Sequence, residues 1–204
     1  MMPDLILGAS ASKKKKKNIS KQVHTDAVIC MSWNPHARSL LASGSADTTV
    51  KLWDLNKPTE ALRSFHIHKD KVAALQWNPK SPSVLLSGGF DKKVNVFDTR
   101  TPDQVAVFNL KSDVECLSWD PFNPERFMVS TEEGVIECWD ARNTAQSLFK
   151  IHAHDGAVSA MDISSVLPGC MITGSSDKTA KVWNLSENKP SCVASRDLDA
   201  VNLL

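Results

Sequence analysis

The segment Ala27–Trp33, AVICMSW, is apolar on both of its alternating faces, with Ala27, Ile29, Met31 and Trp33 on one and Val28 and Cys30 on the other. A sheet face open to water would carry polar residues in one of these series. The pattern therefore predicts a strand in a sheet packed between two other sheets. Further short runs rich in β-branched and aromatic residues, such as TVKLWD and TAKVWN, lie between turns of Pro, Asn, Asp and Gly, and they read as strands. No segment sustains a 3.6-residue period over the roughly ten residues that an amphipathic helix requires.

The strands recur with a fixed period. Trp53-Asp54, Phe97-Asp98, Trp139-Asp140 and Trp183-Asn184 follow one another at spacings of 44, 42 and 44 residues. Twenty residues before each aromatic stand Trp33, Trp77, Trp119 and Ile163, the first three within MSWNP, LQWNP and LSWDP. Twenty-nine before it stand His24, His68, Leu110 and His154, and six before it Asp47, Asp91, Glu133 and Asp177. About 43 residues per copy, read as four strands stacked radially, is the signature of a β-propeller blade. The expected fold is all-β, a partial and open propeller of four blades at roughly residues 26–66, 71–110, 113–152 and 157–195. Residues 1–22 form a basic N-terminal segment with Leu5-Ile6-Leu7 as a candidate strand of a preceding blade. Residues 23–197 carry the four repeats, and 198–204 a C-terminal tail.

Composition narrows the function classes. With 23% charged residues, 42% hydrophobic residues and a net charge of +1, global charge points to neither a nucleic-acid nor a membrane partner, so any electrostatic partner is met locally. No apolar run approaches the roughly 20 residues of a membrane helix, and residues 1–8 lack the pattern of a signal peptide; a soluble, intracellular protein is expected. Five cysteines without a CxxC pair argue against a disulfide framework or a zinc ribbon and read as reduced, mostly buried thiols.

With four copies in register, the sequence resembles the WD-repeat family. That resemblance implies a buried hydrogen-bonded tetrad in each blade, made of a histidine before the first strand, a Ser or Thr on the second, an Asp in the following turn and the Trp of the third. The matching residues are His24, Ser43, Asp47 and Trp53 in the first repeat and His154, Thr173, Asp177 and Trp183 in the fourth. The second repeat has His68, Ser87 and Asp91 with Phe97 in place of the indole. The third has Leu110, Ser130 after a one-residue loop shortening, Glu133 and Trp139, so blade three is expected to rely on packing. The resemblance also implies a face for partner proteins rimmed by Asp26, Asp70 and Asp155, although turn chemistry explains these three equally well. Closure in the family usually takes seven blades. Four would leave the outer faces of blades one and four open, including Ile29, Met31, Met161 and Ile163 wherever they point outward, and such patches invite association.

A closer likeness, to a nuclear and nucleolar branch of the family, rests on HTDAVICMSWNPHARSLLASGSADTTVKLWD, STEEGVIECWDAR, GCMITGSSDKTAKVWN, Ser195-Arg196-Asp197 and the lysine run before His24. It implies a scaffold for ribosome production and ribosomal RNA gene transcription through chromatin association, with pre-ribosomal or chromatin proteins as partners. It implies no enzyme activity, cofactor, metal, membrane or small-molecule substrate. The alternative is a chromatin or peptide reader that holds histone-like tails on the propeller face.

Three constellations invite other chemistry. Ser, His and Asp in each repeat resemble a hydrolase triad, yet the trio recurs at blade positions and lacks a GxSxG elbow, which favours structure. The pairs His66/His68 and His152/His154 resemble metal ligands, but His68 and His154 already belong to tetrads and zinc needs convergent ligands. Lys13, Lys14, Lys15, Lys16 and Lys17 are either a solvated loop or a nuclear import signal, with weak phosphate contact as a third use.

Overall fold

The computed structural model describes Leu7, residues 23–101 and residues 103–198. Among the described residues the apolar runs form sixteen strands in four antiparallel sheets, each made of four strands consecutive in the chain. Blade one comprises β1 (Val28–Trp33), β2 (Leu40–Ser45), β3 (Val50–Asp54) and β4 (Arg63–Phe65). Blade two comprises β5 (Val72–Trp77), β6 (Val84–Gly89), β7 (Lys93–Asp98) and β8 (Val105–Asn109). Blade three comprises β9 (Val114–Trp119), β10 (Arg126–Thr131), β11 (Val135–Asp140) and β12 (Phe149–His152). Blade four comprises β13 (Ala160–Ile163), β14 (Cys170–Gly174), β15 (Thr179–Asn184) and β16 (Ser191–Asp197), with a single 3-10 turn at Ser186–Asn188. No helix among the described residues is long and apolar enough to cross a membrane.

The first strands stand side by side, β1 against β5, β5 against β9 and β9 against β13, which sets them at the hub of an open arc. Three apolar cores fill the three joints between blades. Leu52 and Phe65 meet Val72, Trp77, Leu85 and Phe97 in the first. Leu86 and Phe108 meet Val114, Trp119, Phe127 and Trp139 in the second. Met128, Ile136 and Cys138 meet Val158, Met161, Ile163, Met171 and Trp183 in the third. Each fully buried side chain of this size contributes about 1.5–3 kcal/mol, so packing between blades supplies most of the stabilisation.

The W-N-P and W-D-P triplets add polar staples across the same joints. The Trp77 indole donates to the Ser32 carbonyl at 3.1 Å and the Trp119 indole to the Gln76 carbonyl at 3.2 Å. In the other direction, Asn34 Nδ2 donates to the Pro82 carbonyl at 2.8 Å and Asn78 Nδ2 to the Pro124 carbonyl at 2.7 Å. Each staple satisfies a buried polar group that packing alone would strand.

The arc is open at both ends. On blade one Val28, Ile29, Met31 and Trp33 are exposed. On blade four the expectation is corrected: Met161 and Ile163 point inward onto blade three, and Ile172 takes the outward position at 52% exposure. In β13 and β14 successive side chains alternate between faces, and the third core claims the face that holds Met161, Ile163, Met171 and Thr173.

The cysteines are all free. Cys138 is buried, Cys30, Cys116 and Cys170 are half-buried and Cys192 lies exposed on β16, so one thiol of the five is in the buried class expected for most of them. Burial pushes the Cys30 and Cys138 thiols up to about 12.

Candidate functional site

Each tetrad histidine enters its blade from the connection before the first strand and reaches the turn between the second and third. In blade one, His24 Nδ1 donates to Asp47 Oδ2 at 2.9 Å, the Ser43 hydroxyl donates to His24 Nε2 at 2.7 Å, and the Trp53 indole donates to Ser43 Oγ at 2.8 Å. In blade four, His154 Nδ1 donates to Asp177 at 2.9 Å, Thr173 Oγ1 donates to His154 Nε2 at 2.8 Å, and the Trp183 indole donates to Thr173 Oγ1 at 2.9 Å. Blade two brings together His68, Asp91 and Ser87, at 3.0 and 2.8 Å, while Phe97 has no indole to offer. Asn95 lies 3.1 Å from His68 Nε2 and donates to the Ile67 carbonyl.

Two members escaped sequence reasoning. Thr49 and Thr179, two residues after the turn aspartates, donate their hydroxyls to Asp47 and Asp177 at 2.6 and 2.7 Å. The signal was the spacing Asp-x-Thr, present in repeats one and four and absent from Asp91-Lys92-Lys93 and Glu133-Gly134-Val135.

Blade three departs from the expected alignment. Trp53 pairs with Leu41 and Ser43 with Lys51, and in blade three Trp139 pairs with Phe127 and Val129 with Glu137. Val129 therefore occupies the Ser/Thr position and no residue is lost from the loop. Ser130 stands one place later, on the opposite face, where its hydroxyl donates to the Val158 carbonyl of blade four at 2.8 Å. A one-residue slip in a strand turns a side chain to the other face. Trp139 is left as a buried indole with no hydrogen-bond partner among the described residues. Glu133 is exposed. With Leu110 in the histidine position, no tetrad forms.

Electrostatics follow from these contacts. Burial opposes ionisation of Asp47, but bonds from the Thr49 hydroxyl, the Thr25 N–H and His24 outweigh it and hold the carboxyl well below the usual range. Asp177 is likewise lowered by Thr179, His154 and the Asp155 N–H against burial. Burial is the larger influence on His24 and lowers it despite Asp47, which keeps the imidazole neutral and able to accept from Ser43. The aspartates after the third-strand aromatics serve locally: Asp54, Asp98 and Asp140 accept the N–H of Asn56, Arg100 and Arg142 in their own turns.

Ser43, Ser87 and Thr173 are buried, at 2%, 0% and 2% exposure, so none presents a nucleophile to solvent. His66 and His152 are exposed while their neighbours His68 and His154 are buried. No group of three His, Cys, Asp or Glu side chains among the described residues is placed to hold a metal. The lysines at 13–17 and the Leu5-Ile6 part of the candidate strand lie outside the described residues.

The rim residues Asp26, Asp70 and Asp155 are all exposed. Asp26 and Asp70 each accept the N–H of the next residue, Ala27 and Lys71, at 2.7 Å. A denser acidic group, not anticipated from the sequence, lies at blade three. Bulges at equivalent places in β1, β5 and β9 leave Ile29, Ala73 and Glu115 unpaired at the hub. Glu115 there joins Asp113 and Glu132. Burial and then Glu132 raise both carboxyls, with Asp113 adding to the effect on Glu115.

Comparison with known proteins gives the family. Residues 16–54, 59–98 and 145–184 match the repeat family described as "WD domain, G-beta repeat". The chain belongs to the WD-repeat family. The matched segments leave out 99–144, which hold Leu110, Val129 and Glu133, the residues that replace the network of blade three. A WD repeat-containing protein of Schizosaccharomyces pombe is 52% identical over 97% of this chain and 39% of its own length. Periodic tryptophan protein 1 of Saccharomyces cerevisiae is 36% identical over 99% of this chain and 39% of its own. A Drosophila melanogaster homolog with that name is 31% identical over 89% of this chain and 40% of its own. The chain thus spans about two fifths of the length of these relatives. WD repeats are in general non-enzymatic scaffolds that mediate protein–protein interaction.

Proposed function

We propose that this WD-repeat chain is a non-enzymatic scaffold of the nucleus and nucleolus that acts in ribosome production and ribosomal RNA gene transcription through chromatin association. The observation that carries the reading is the likeness to periodic tryptophan protein 1 along nearly the whole chain. The networks in blades one, two and four are structural clamps that fix the turns around the partner face. The lysine run at 13–17 is the nuclear address. Pre-ribosomal or chromatin proteins are the partners, and contact with nucleic acid is indirect or weak through the lysines.

A second reading, a reader of basic histone-like tails, draws on the blade-three acidic group. Burial and then the charge of Glu132 raise Asp113 and Glu115, and a cationic ligand relieves the repulsive part. Affinity purification of the tagged chain from nuclear extract separates the two. Recovery of pre-ribosomal proteins supports the scaffold, and enrichment of histones alone supports the reader.

A further inference from the structure

The three joints inside the molecule are not held alike. In the first two, an asparagine just past the first strand bonds in two directions. Asn34 and Asn78 accept the N–H groups two and three residues on at Oδ1, and donate across the joint from Nδ2 to the carbonyls of Pro82 and Pro124. Those prolines stand five residues after Trp77 and Trp119, whose indoles return a second bond to the blade before. In the third joint both donors are gone. Asp120 replaces the asparagine and Ile163 the tryptophan, while the proline remains as Pro168, five residues after Ile163. Asp120 Oδ1 accepts the N–H groups of Phe122 and Asn123 at 2.9 and 3.2 Å, as the asparagines do. Its other oxygen therefore takes the place of the bridging amide, on the side of the Pro168 carbonyl. Two acceptors meet there, and neither has a proton to give.

The unstapled joint stays open as a hollow of about 310 Å³ between blades three and four. Met128, Phe149, Ile163 and Leu185 give it apolar walls, and Asp120 and Pro168 line it with them. Arg126, also in the lining, directs its guanidinium to Asn188 Oδ1 at 3.2 Å. At the mouth Phe122 is 48% exposed. The hairpin that carries Pro168 holds Val166 and Leu167 80% and 61% exposed, with both of their N–H groups fixed by Ser164 Oγ. Both walls of the hollow belong to blades of this chain. A further blade would stack on the Ile172 face of blade four, away from this opening.

A hollow of this size sits at the lower end of the roughly 300–1,000 Å³ of ligand sites and suits a single side chain. Apolar walls combined with a carboxylate oxygen and a carbonyl match a long aliphatic stem that ends in a cation. We propose that the hollow between blades three and four docks a lysine or arginine side chain of a partner protein. The stem lies against Phe149 and Leu185, the head donates to Asp120 Oδ2 and the Pro168 carbonyl, and apolar neighbours of that residue rest on Phe122, Val166 and Leu167. The site is at the opposite end of β9 from Asp113 and Glu115, so it is independent of the acidic group at the hub.

Fluorescence polarisation with the whole chain tests this, using a labelled acetyl-Ser-Leu-Lys-Leu-Ser-amide peptide beside the same peptide with norleucine or glutamate in place of lysine. The lysine peptide is expected to bind about tenfold or more tighter than the norleucine peptide, and the glutamate peptide not at all. Asp120→Asn supplies the amide that the other joints have. It should melt at or above the wild-type temperature by circular dichroism, since that amide can donate to Pro168, and it should lose the preference for lysine. Leu167→Ser, on the exposed rim outside the three cores, should weaken the lysine peptide about threefold and leave the preference over norleucine in place. Equal binding of the lysine and norleucine peptides overturns the proposal, as does a preference for lysine that survives Asp120→Asn. A wild type that retains none of the peptides overturns it as well, as when a side chain of the same protein fills the hollow.

Discussion

Asp177→Ala removes the acceptor at the centre of the blade-four network. Its carboxylate takes bonds from Thr179 Oγ1 at 2.7 Å, His154 Nδ1 at 2.9 Å, the Thr179 N–H at 2.9 Å and the Asp155 N–H at 3.2 Å. The His154 side chain has no exposed surface and that of Asp177 only 14%, so water replaces little of what is lost. Thr179 Oγ1, 3.0 Å from His154 Nδ1, offers partial relief. A lost bond to a charged acceptor costs about 1.5–3 kcal/mol and a stranded buried donor about 1–3, so with that relief the net loss is about 2–4 kcal/mol. Glu133→Ala, the matching change in blade three, touches an exposed side chain outside any network and costs under about 0.5 kcal/mol. With a urea slope of about 1–3 kcal/mol/M, tryptophan-monitored midpoints of the two variants separate by about 0.5 M or more. The same substitution reshapes the acid limb. Carboxylates held low, as Asp47 and Asp177 are, contribute stability that is present above the unfolded value of about 3.9 and is lost as pH falls below it. His24, also lowered, contributes stability that is lost as pH falls through about 6.5. Asp177→Ala therefore flattens the loss below about pH 4 and leaves the His24 step in place. Equal midpoint shifts for the two variants, or an unchanged acid limb, refute the assignment of a network to blade four and none to blade three.

Further outcomes follow from the same geometry. Trp139→Phe removes a buried N–H without a partner and should leave stability within about 0.5 kcal/mol or raise it, whereas Trp183→Phe breaks a bond to Thr173 and should cost about 1–2 kcal/mol; differential scanning calorimetry of the pair checks this. Asn78→Ala cuts a joint between blades two and three, and a loss of about 1–3 kcal/mol with faster amide exchange in β10 is expected. Glutamine at all five positions 13–17 should reduce nuclear and nucleolar retention of a fluorescent fusion, and an unchanged distribution removes the lysine run from the account.

The fold was legible because a 43-residue period needs no knowledge of any single strand: the spacing of Trp53, Phe97, Trp139 and Trp183 aligns every other position. The slip at Ser130 shows where matching by residue type stops short. A serine one place from the expected position looks like a shortened loop on paper, but alternation puts it on the opposite face, and the ten-residue spacing from Ser43 to Trp53 and from Thr173 to Trp183 places Val129 there, in agreement with the pairing of Phe127 with Trp139. The exposed side of blade four misled for a related reason. Met161 and Ile163 are apolar like their neighbours, and which face meets blade three depends on the handedness of the stack. The staples of Asn34 and Asn78 stood in the sequence as W-N-P, but a contact about 45 residues distant leaves no local mark. The acidic group at blade three arises from a bulge, which periodicity does not register.

As proposed, this chain serves as a scaffold in ribosome production. Sedimentation of nuclear extract containing the tagged chain through a sucrose gradient, with and without ribonuclease, addresses it most directly. The scaffold is expected in large fractions with pre-ribosomal RNA or with chromatin of the ribosomal RNA genes, the first pool moving to light fractions once the RNA is digested; a chain found only in light fractions, or one on bulk nucleosomes without ribosomal RNA gene sequence, contradicts it.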